Sequence, residues 1–465
     1  MRFIKLIFLL VFSLAIFSCQ KENFYNSSNA ELVFSTDTIM FDTIFTNIGS
    51  STQSFTVHNP YNKTVNISSI SLAGSNNSVY RLNIDGYSGN ELHNIELKAK
   101  DSLYIFAEVT IDPNNSNLPL VIKDSIIFTT NNNKQYVNLI SWGQDVYLIN
   151  GEIIQTQTWQ NDKPYLIYNS MLVDTNSLLT IESGARLYFH NKSRLYVAGT
   201  LIANGTLDEP ILFSGDRIEE QYSDIPGQWD GIWFMSGSKN NILSYSVINN
   251  AIIGIQVDTF TNITKPTLDI SNTRIENMTS AGIYAQGSTI KAYNCLISNC
   301  GQYAIALTLG GDYEFNHCTI ANYWNYSTRS TPSLLINNYY TDINNNIQLR
   351  PLNNATFGNC IIYGNKENEI VLDNDSNTNF NFKFDHCLIK TNIQTENANN
   401  FENIIKNITP NFISKFGSDY QLDTLSVAKD YGKIEIGELF PIDINGNSRI
   451  SDNGPDLGSF ERIEK

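Results

Sequence analysis

Between residues 31 and 145, apolar and polar side chains alternate in seven runs, ELVFSTDTIMF, STQSFTV, TVNISSISLA, VYRLNI, DSLYIFAEVTI, KDSIIFTT and KQYVNLISW. Asn, Gly, Pro or Ser clusters separate them. A period of two places every second side chain on one face, which is the signature of a half-buried strand. Seven such strands predict an antiparallel β-sandwich over 31–145. The stretch contains no cysteine, so its core must hold without a disulfide.

From about residue 146 the pattern becomes a repeat. A unit of the form x-[Asn/His]-[Cys/Ser/Thr]-x-Ile recurs as YSVINN, NTRIEN, NCLISN, HCTIAN, NCIIYGN and HCLIKTN, anchored on Ile248, Ile275, Ile297, Ile320, Ile362 and Ile389. The anchors are 27, 22, 23, 42 and 27 residues apart, and the interval of 42 predicts one poorly matching coil within it. A second apolar strand follows four anchors: GIQV at 254, GIYA at 282, AIAL at 304 and EIVL at 369. A unit of short strands this small buries its aliphatic face only by stacking on its neighbours, so the repeats predict a parallel β-solenoid over 146–420. About a dozen coils at about 4.8 Å each give a length near 60 Å. Two ladders share a register. Asn250, Asn277, Asn299 and Asn322 are placed to stack and bond from coil to coil. Cys295, Cys318, Cys360 and Cys387 fill one inward slot as small hydrophobes, because in-register stacking suits disulfide geometry poorly.

Composition narrows the class. The 465 residues carry 46 acidic and 30 basic side chains, a formal charge of −16, yet only 16% are charged and Asn is about one residue in eight. So acidic a surface repels phosphate backbones, which argues against nucleic acid as a partner. The content of Ile, Leu, Val, Phe and Tyr excludes low-complexity disorder. Residues 1–18 read as a signal peptide: Arg2 and Lys5, the apolar run Leu6–Phe17, then Ser18 and Cys19. The run is too short to span a bilayer.

Ile16-Phe17-Ser18-Cys19 resembles the lipobox of bacterial lipoproteins, which implies acylation of Cys19, anchoring by at least two acyl chains and a lipidated tether over 19–30. Gln20-Lys21-Glu22-Asn23 is similar to the signal that sends some lipoproteins to the outer face of the outer membrane. FTVHNPYNKTVNISSISLAG resembles the opening of Ig-like modules, which implies an Ig-like form for the sandwich and a spacer role. Residues 178–213, LLTIESGARLYFHNKSRLYVAGTLIANGTLDEPILF, and QWDGIWF at 228–234 resemble the opening coils of right-handed parallel β-helix proteins. The expected fold class is therefore all-β, an Ig-like sandwich followed by a right-handed parallel β-helix. DINGNSRISDNGPDLGSFE, 443–461, is similar to the ending of many bacterial β-helix surface proteins and marks 421–465 as a C-terminal cap or tail. This fold hosts lyases, hydrolases and adhesins alike, so the resemblance leaves the chemistry open.

Polysaccharide lyases and hydrolases of this architecture need acids or bases projecting from adjacent coils. Flanking the anchors and the second strands, no two successive coils offer acids at matching offsets. Arg274 and Glu276 read as a solvent ion pair, and Asp385-His386 as a turn rather than an acid–base dyad. No metal site or cofactor is expected. Asp443-Ile444-Asn445-Gly446-Asn447 echoes a calcium loop but lacks its closing Glu, which favours a turn. Between Ile320 and Ile362 lie NYWNYSTRSTP and NNYYTDINNNIQLRP, carrying Trp324, Tyr326, Arg329, Tyr339, Tyr340 and Arg350. Exposed aromatics stack on sugar rings and arginine adds hydrogen bonds, so these six are the candidate glycan-binding residues. Five Asp-[Ser/Thr]-aliphatic tripeptides resemble an O-glycosylation acceptor motif. Taken together, the residues predict a lipid-anchored outer-membrane protein of the cell surface, whose β-helix is a non-catalytic scaffold for polysaccharide or host-glycan binding or adhesion. The alternatives are a lyase or hydrolase of acidic polysaccharide, and a passive component of the envelope.

Overall fold

The computed structural model describes residues 24–113, 120–258 and 266–464, and the chain divides into two compact units at Asp145/Val146. Cys19, the signal peptide and the start of the tether lie outside the described residues. No helix among the described residues is long and apolar enough to cross a membrane.

The first unit is a β-sandwich of two five-stranded sheets. Its core is Phe41, Phe55, Val57, Ile67, Tyr80, Ile105, Phe128 and their neighbours. The run ELVFSTDTIMF is two strands rather than one. Val33–Phe34 pairs with Gln53–His58 in one sheet, and Thr38–Phe45 pairs in parallel with Asn133–Gln144 in the other. The strand Glu91–Leu97 shows no alternation in sequence because it is an edge strand with most side chains outside the core. Asn59 explains the NPYN signature: its buried amide donates to the carbonyls of Lys63, Leu97 and Lys98, and its oxygen accepts from the Tyr61 N–H.

Among the described residues, the second unit is a parallel solenoid of twenty-six strands wound through three sheets. Leu268–Ser271, Arg274–Met278 and Ala281–Gln286 make one coil, contributing in turn to the first, second and third sheets, and each strand pairs with the strand three ahead. The anchors form a single column. Ile248 pairs with Ile275, Ile275 with Ile297, Ile297 with Ile320, Ile320 with Ile362 and Ile362 with Ile389, all fully buried. Above Ile248 the column continues through Phe213, Leu187, Tyr165 and Tyr147. Below Ile389 it ends at Lys406. Ten steps at about 4.8 Å make a stack of about 48 Å, shorter than expected. Each fully buried aliphatic side chain is worth about 1.5–3 kcal/mol, which no isolated coil obtains. Beside this column, Phe315, Phe357, Phe384 and Phe401 stack face to face at centroid spacings of 5.1, 5.0 and 5.5 Å.

Three expectations are corrected. The interval of 42 residues contains no extra coil, because Ile320 and Ile362 occupy adjacent rungs. The surplus is two insertions: residues 323–333 between the second and third sheets, and the hairpin Tyr339–Thr341/Ile347–Leu349 between the third and first. Second, Asn250, Asn277, Asn299 and Asn322 do not bond one another. Asn250, Asn277 and Asn299 have φ of +60°, +63° and +52°, so the corner selects Asn for its tolerance of the left-handed region. Coil-to-coil side-chain bonds run instead along the preceding corner, Asn294 to Asn272 (3.1 Å), Asn359 to His317 (3.0 Å) and Asn403 to His386 (3.0 Å), where φ is again positive. Third, Arg274 and Glu276 are not an ion pair: Arg274 donates to Asn445 and Glu276 accepts from Ser298. The cysteine column is inward as expected. Cys295, Cys318, Cys360 and Cys387 are buried and free, and donate to backbone carbonyls such as Phe315 O and Phe357 O.

The expected cap or tail is a strap laid along the side of the second sheet. Tyr420, Ile444 and Phe460 cover the outward Leu296 and Ala321, while Leu422, Ala428 and Leu457 cover Ile361, Leu388 and Ile405. Its ending motif is a fastening. Gly458 (φ +88°) comes so close to the coil that a Cβ there would meet Thr319 Oγ1 at 2.5 Å, and its N–H donates to Asn359 O. Arg449, fully buried, donates to Asn294 Oδ1 at 3.0 Å and lies 3.3 Å from Glu461. Asp443, the calcium-loop echo, closes a turn by accepting from the N–H groups of Asn445, Asn447 and Glu461.

Candidate functional site

The two insertions lie at different corners, so the six candidate residues do not share one face. At the second-to-third corner, Trp324 is buried against Gly301, where a Cβ would meet its Cζ2 at 3.1 Å, and its Nε1 donates to Ser327. Arg329 is buried too. It makes a two-pronged contact with Glu369, NH2 to Oε1 at 2.7 Å and NH1 to Oε2 at 2.9 Å, and also donates to Asn322 O and Thr331 O. Glu369 further accepts from Ser333 N and Oγ and from Lys366 N. Both side chains pack the insertion onto the solenoid and have no access to a ligand. Only Tyr326 of this trio remains open, 48% exposed, with its hydroxyl donating to Asp224 O at 2.6 Å.

At the third-to-first corner, Tyr339 donates to the Asp373 carboxylate at 3.0 Å and Arg350 lies 5.9 Å from the Tyr340 ring while donating to Leu349 O. These contacts stiffen the hairpin, and of the three only Tyr340 is exposed, at 38%.

Tyr326 lines a polar cleft of about 200 Å³ with Asp224, Asn277, Asn299, Asn325, Lys415, Phe416 and Ser418. Pockets for small molecules run to about 300–1,000 Å³, so this one suits a chain end or a single ring. Phe416 is 75% exposed. Lys415 lies over the Tyr323 and Phe416 rings at 5.8 and 5.0 Å. Asn299 is held by Tyr420 and Ser418, whereas the side-chain amides of Asn277 and Asn325 make no hydrogen bond among the described residues. Two open aromatic rings with unspent amides between them is the chemistry that recognises a hydroxylated ring, apolar on its C–H face and polar at its rim. Phe416 could not be found from sequence, because the turn carrying it lies more than eighty residues beyond the insertion.

Asp385-His386 is not a free acid–base dyad. His386 Nδ1 lies 2.7 Å from Asp385 Oδ1 and Nε2 is 3.0 Å from Asn403 Nδ2, so both ring nitrogens are occupied. Lys433 also pairs with Asp385 at 2.8 Å, and with His386 holds that carboxyl below its usual range despite burial. The outward positions flanking the anchors and the second strands lie on the second and third sheets. On the first sheet, Asp269, Lys291 and Glu314 stand on three successive rungs at one offset. No group of three or more His, Cys, Asp or Glu among the described residues is arranged to hold a metal ion.

A three-sheeted parallel solenoid with an inward aliphatic column defines the class. Residues 125–320 and 254–421 match the family model described as "Right handed beta helix region", and the chain belongs to that family. The match begins inside the last strands of the sandwich, although the solenoid register starts at Tyr147. No curated protein matches the chain.

Proposed function

We propose that this chain is a lipid-anchored saccharide-binding protein of the outer membrane, displayed at the cell surface through Cys19, with its β-helix as a rigid, non-catalytic scaffold and its sandwich as a spacer. The observation that carries the reading is the corner cleft, which the exposed Tyr326 and Phe416 line together with the amides of Asn277, Asn299 and Asn325. Asn277 and Asn299 stand at corners of packed coils, so these two amides are positioned before a ligand arrives, which lowers the entropy lost on binding. A glycan array probed with the purified chain and with a Tyr326→Ala/Phe416→Ala variant tests this. Binding by the parent and at least a tenfold loss in the variant is the expected result. No binding, or equal binding by the variant, removes the proposed site.

A further inference from the structure

The first sheet carries a second cleft, of about 220 Å³, lined by Asp269, Lys291, Ala292, Tyr293, Glu314, Asn316 and Phe440. Its charged groups stand one above another on adjacent rungs: Asp269 pairs in register with Lys291, and Lys291 with Glu314. The charges are not equally used. Lys291 Nζ lies 3.5 Å from Glu314 Oε2, and Asn316 Nδ2 donates to Glu314 Oε1 at 2.9 Å. Asp269, half-buried, accepts no hydrogen bond and enters no ion pair among the described residues. Beside it, the Tyr293 and Phe440 rings stack at 4.6 Å. Lys291 on the next rung attracts Asp269 from beyond ion-pair distance, so this half-buried carboxylate still gains from a closer cation or a set of donors. The aromatic pair favours a cation over a neutral donor, since ring faces attract an ammonium.

We infer that this cleft is a binding site for a primary ammonium carried on a sugar ring, with Asp269 pairing the ammonium and the Tyr293–Phe440 pair flanking the ring. It is distinct from the corner cleft and does not depend on it. Lys291 competes for the same carboxylate field, so the sign of its effect is opposite to that of Asp269.

The probe is the glucosamine trimer, titrated calorimetrically into the full chain beside the N-acetylglucosamine trimer and a neutral glucose trimer of matched length. The parent should bind the amine-bearing trimer at least tenfold more tightly than either neutral one. A charged hydrogen bond is worth enough to make Asp269→Asn weaken that binding at least about tenfold. Lys291→Met should strengthen it. Asp208→Asn, which removes an exposed acid on another turn, should leave it unchanged and controls for net charge. Thermal unfolding of each variant confirms the fold. Equal affinity for the three trimers, no binding of the amine, or undiminished binding by Asp269→Asn would each overturn the assignment.

Discussion

The contact that shapes the corner cleft is the buried pair Arg329–Glu369. Both side chains are almost wholly inaccessible, at 2% and 0%. Arg329→Met keeps most of the aliphatic bulk but leaves Glu369 buried with only the Ser333 and Lys366 donors. Removing one partner of a buried pair typically costs about 3–5 kcal/mol. The loss falls on residues 323–333, which the pair ties to the following coil. Hydrogen exchange reads this locally, without assuming that two units unfold as one. At about 1.4 kcal/mol per decade, exchange across 323–333 should accelerate at least a hundredfold. Exchange at Ile275, Ile297 and Ile320 should stay slow. In Arg329→Met/Glu369→Leu no charge remains unpaired, so the double variant should be better protected than Arg329→Met alone. Protection of 323–333 unchanged in the single variant, or simple additivity in the double, would refute the clamp.

Truncation before residue 410 should uncover Leu296, Ile361 and Leu388, giving a chain that binds a hydrophobic dye and aggregates on concentration, whereas a strap of no consequence would leave a soluble monomer. Burial and the neighbouring Asp456 carboxylate push Glu461 up to about 8, and burial raises Asp456 to about 6. An acid whose folded pKa is raised binds its proton more tightly in the native state, so its contribution to stability falls as pH rises from about 4.5 to about 8. Glu461→Gln mimics the protonated form. Its melting temperature should therefore fall less between pH 5 and pH 8 than the parent's; equal pH dependence would contradict the assignment. All five described cysteines are fully buried, so native protein should leave them unreactive to a thiol reagent until denaturant is added.

What the sequence revealed about the fold depended on whether a slot tolerates many residues or few. From Ile248 to Ile389 the anchor slot holds isoleucine on every rung, so that stretch of the column is visible as a repeat, whereas its continuation through Phe213, Leu187 and Tyr165 is not. The inward slots of the first sheet hold Ile270, Ala292, Phe315 and Phe357 in turn, and a slot that varies in size leaves no repeat to see. One sheet of three, and the Asp269–Lys291–Glu314 column on it, therefore leaves no periodic signal in the sequence. Outward apolar residues such as Leu296, Ile361 and Leu388 were the available signal for the strap, since a solvated sheet face has no reason to carry them. The candidate site was legible only in part. Aromatic content located the insertions, but whether Trp324 or Tyr326 faces outward is settled by Gly301 and Asp224, and the other wall of the cleft by Lys415 and Phe416 on a distant turn. The buried fate of Arg329 required knowing that Glu369 lies on the next rung.

The saccharide reading is tested most directly by a crystal structure of the chain with the oligosaccharide that ranks highest on the array. A sugar ring seated between Tyr326 and Phe416, hydrogen-bonded to Asn277 or Asn325, is the predicted result. A ligand bound elsewhere on the solenoid, with the corner cleft filled only by solvent, would contradict it.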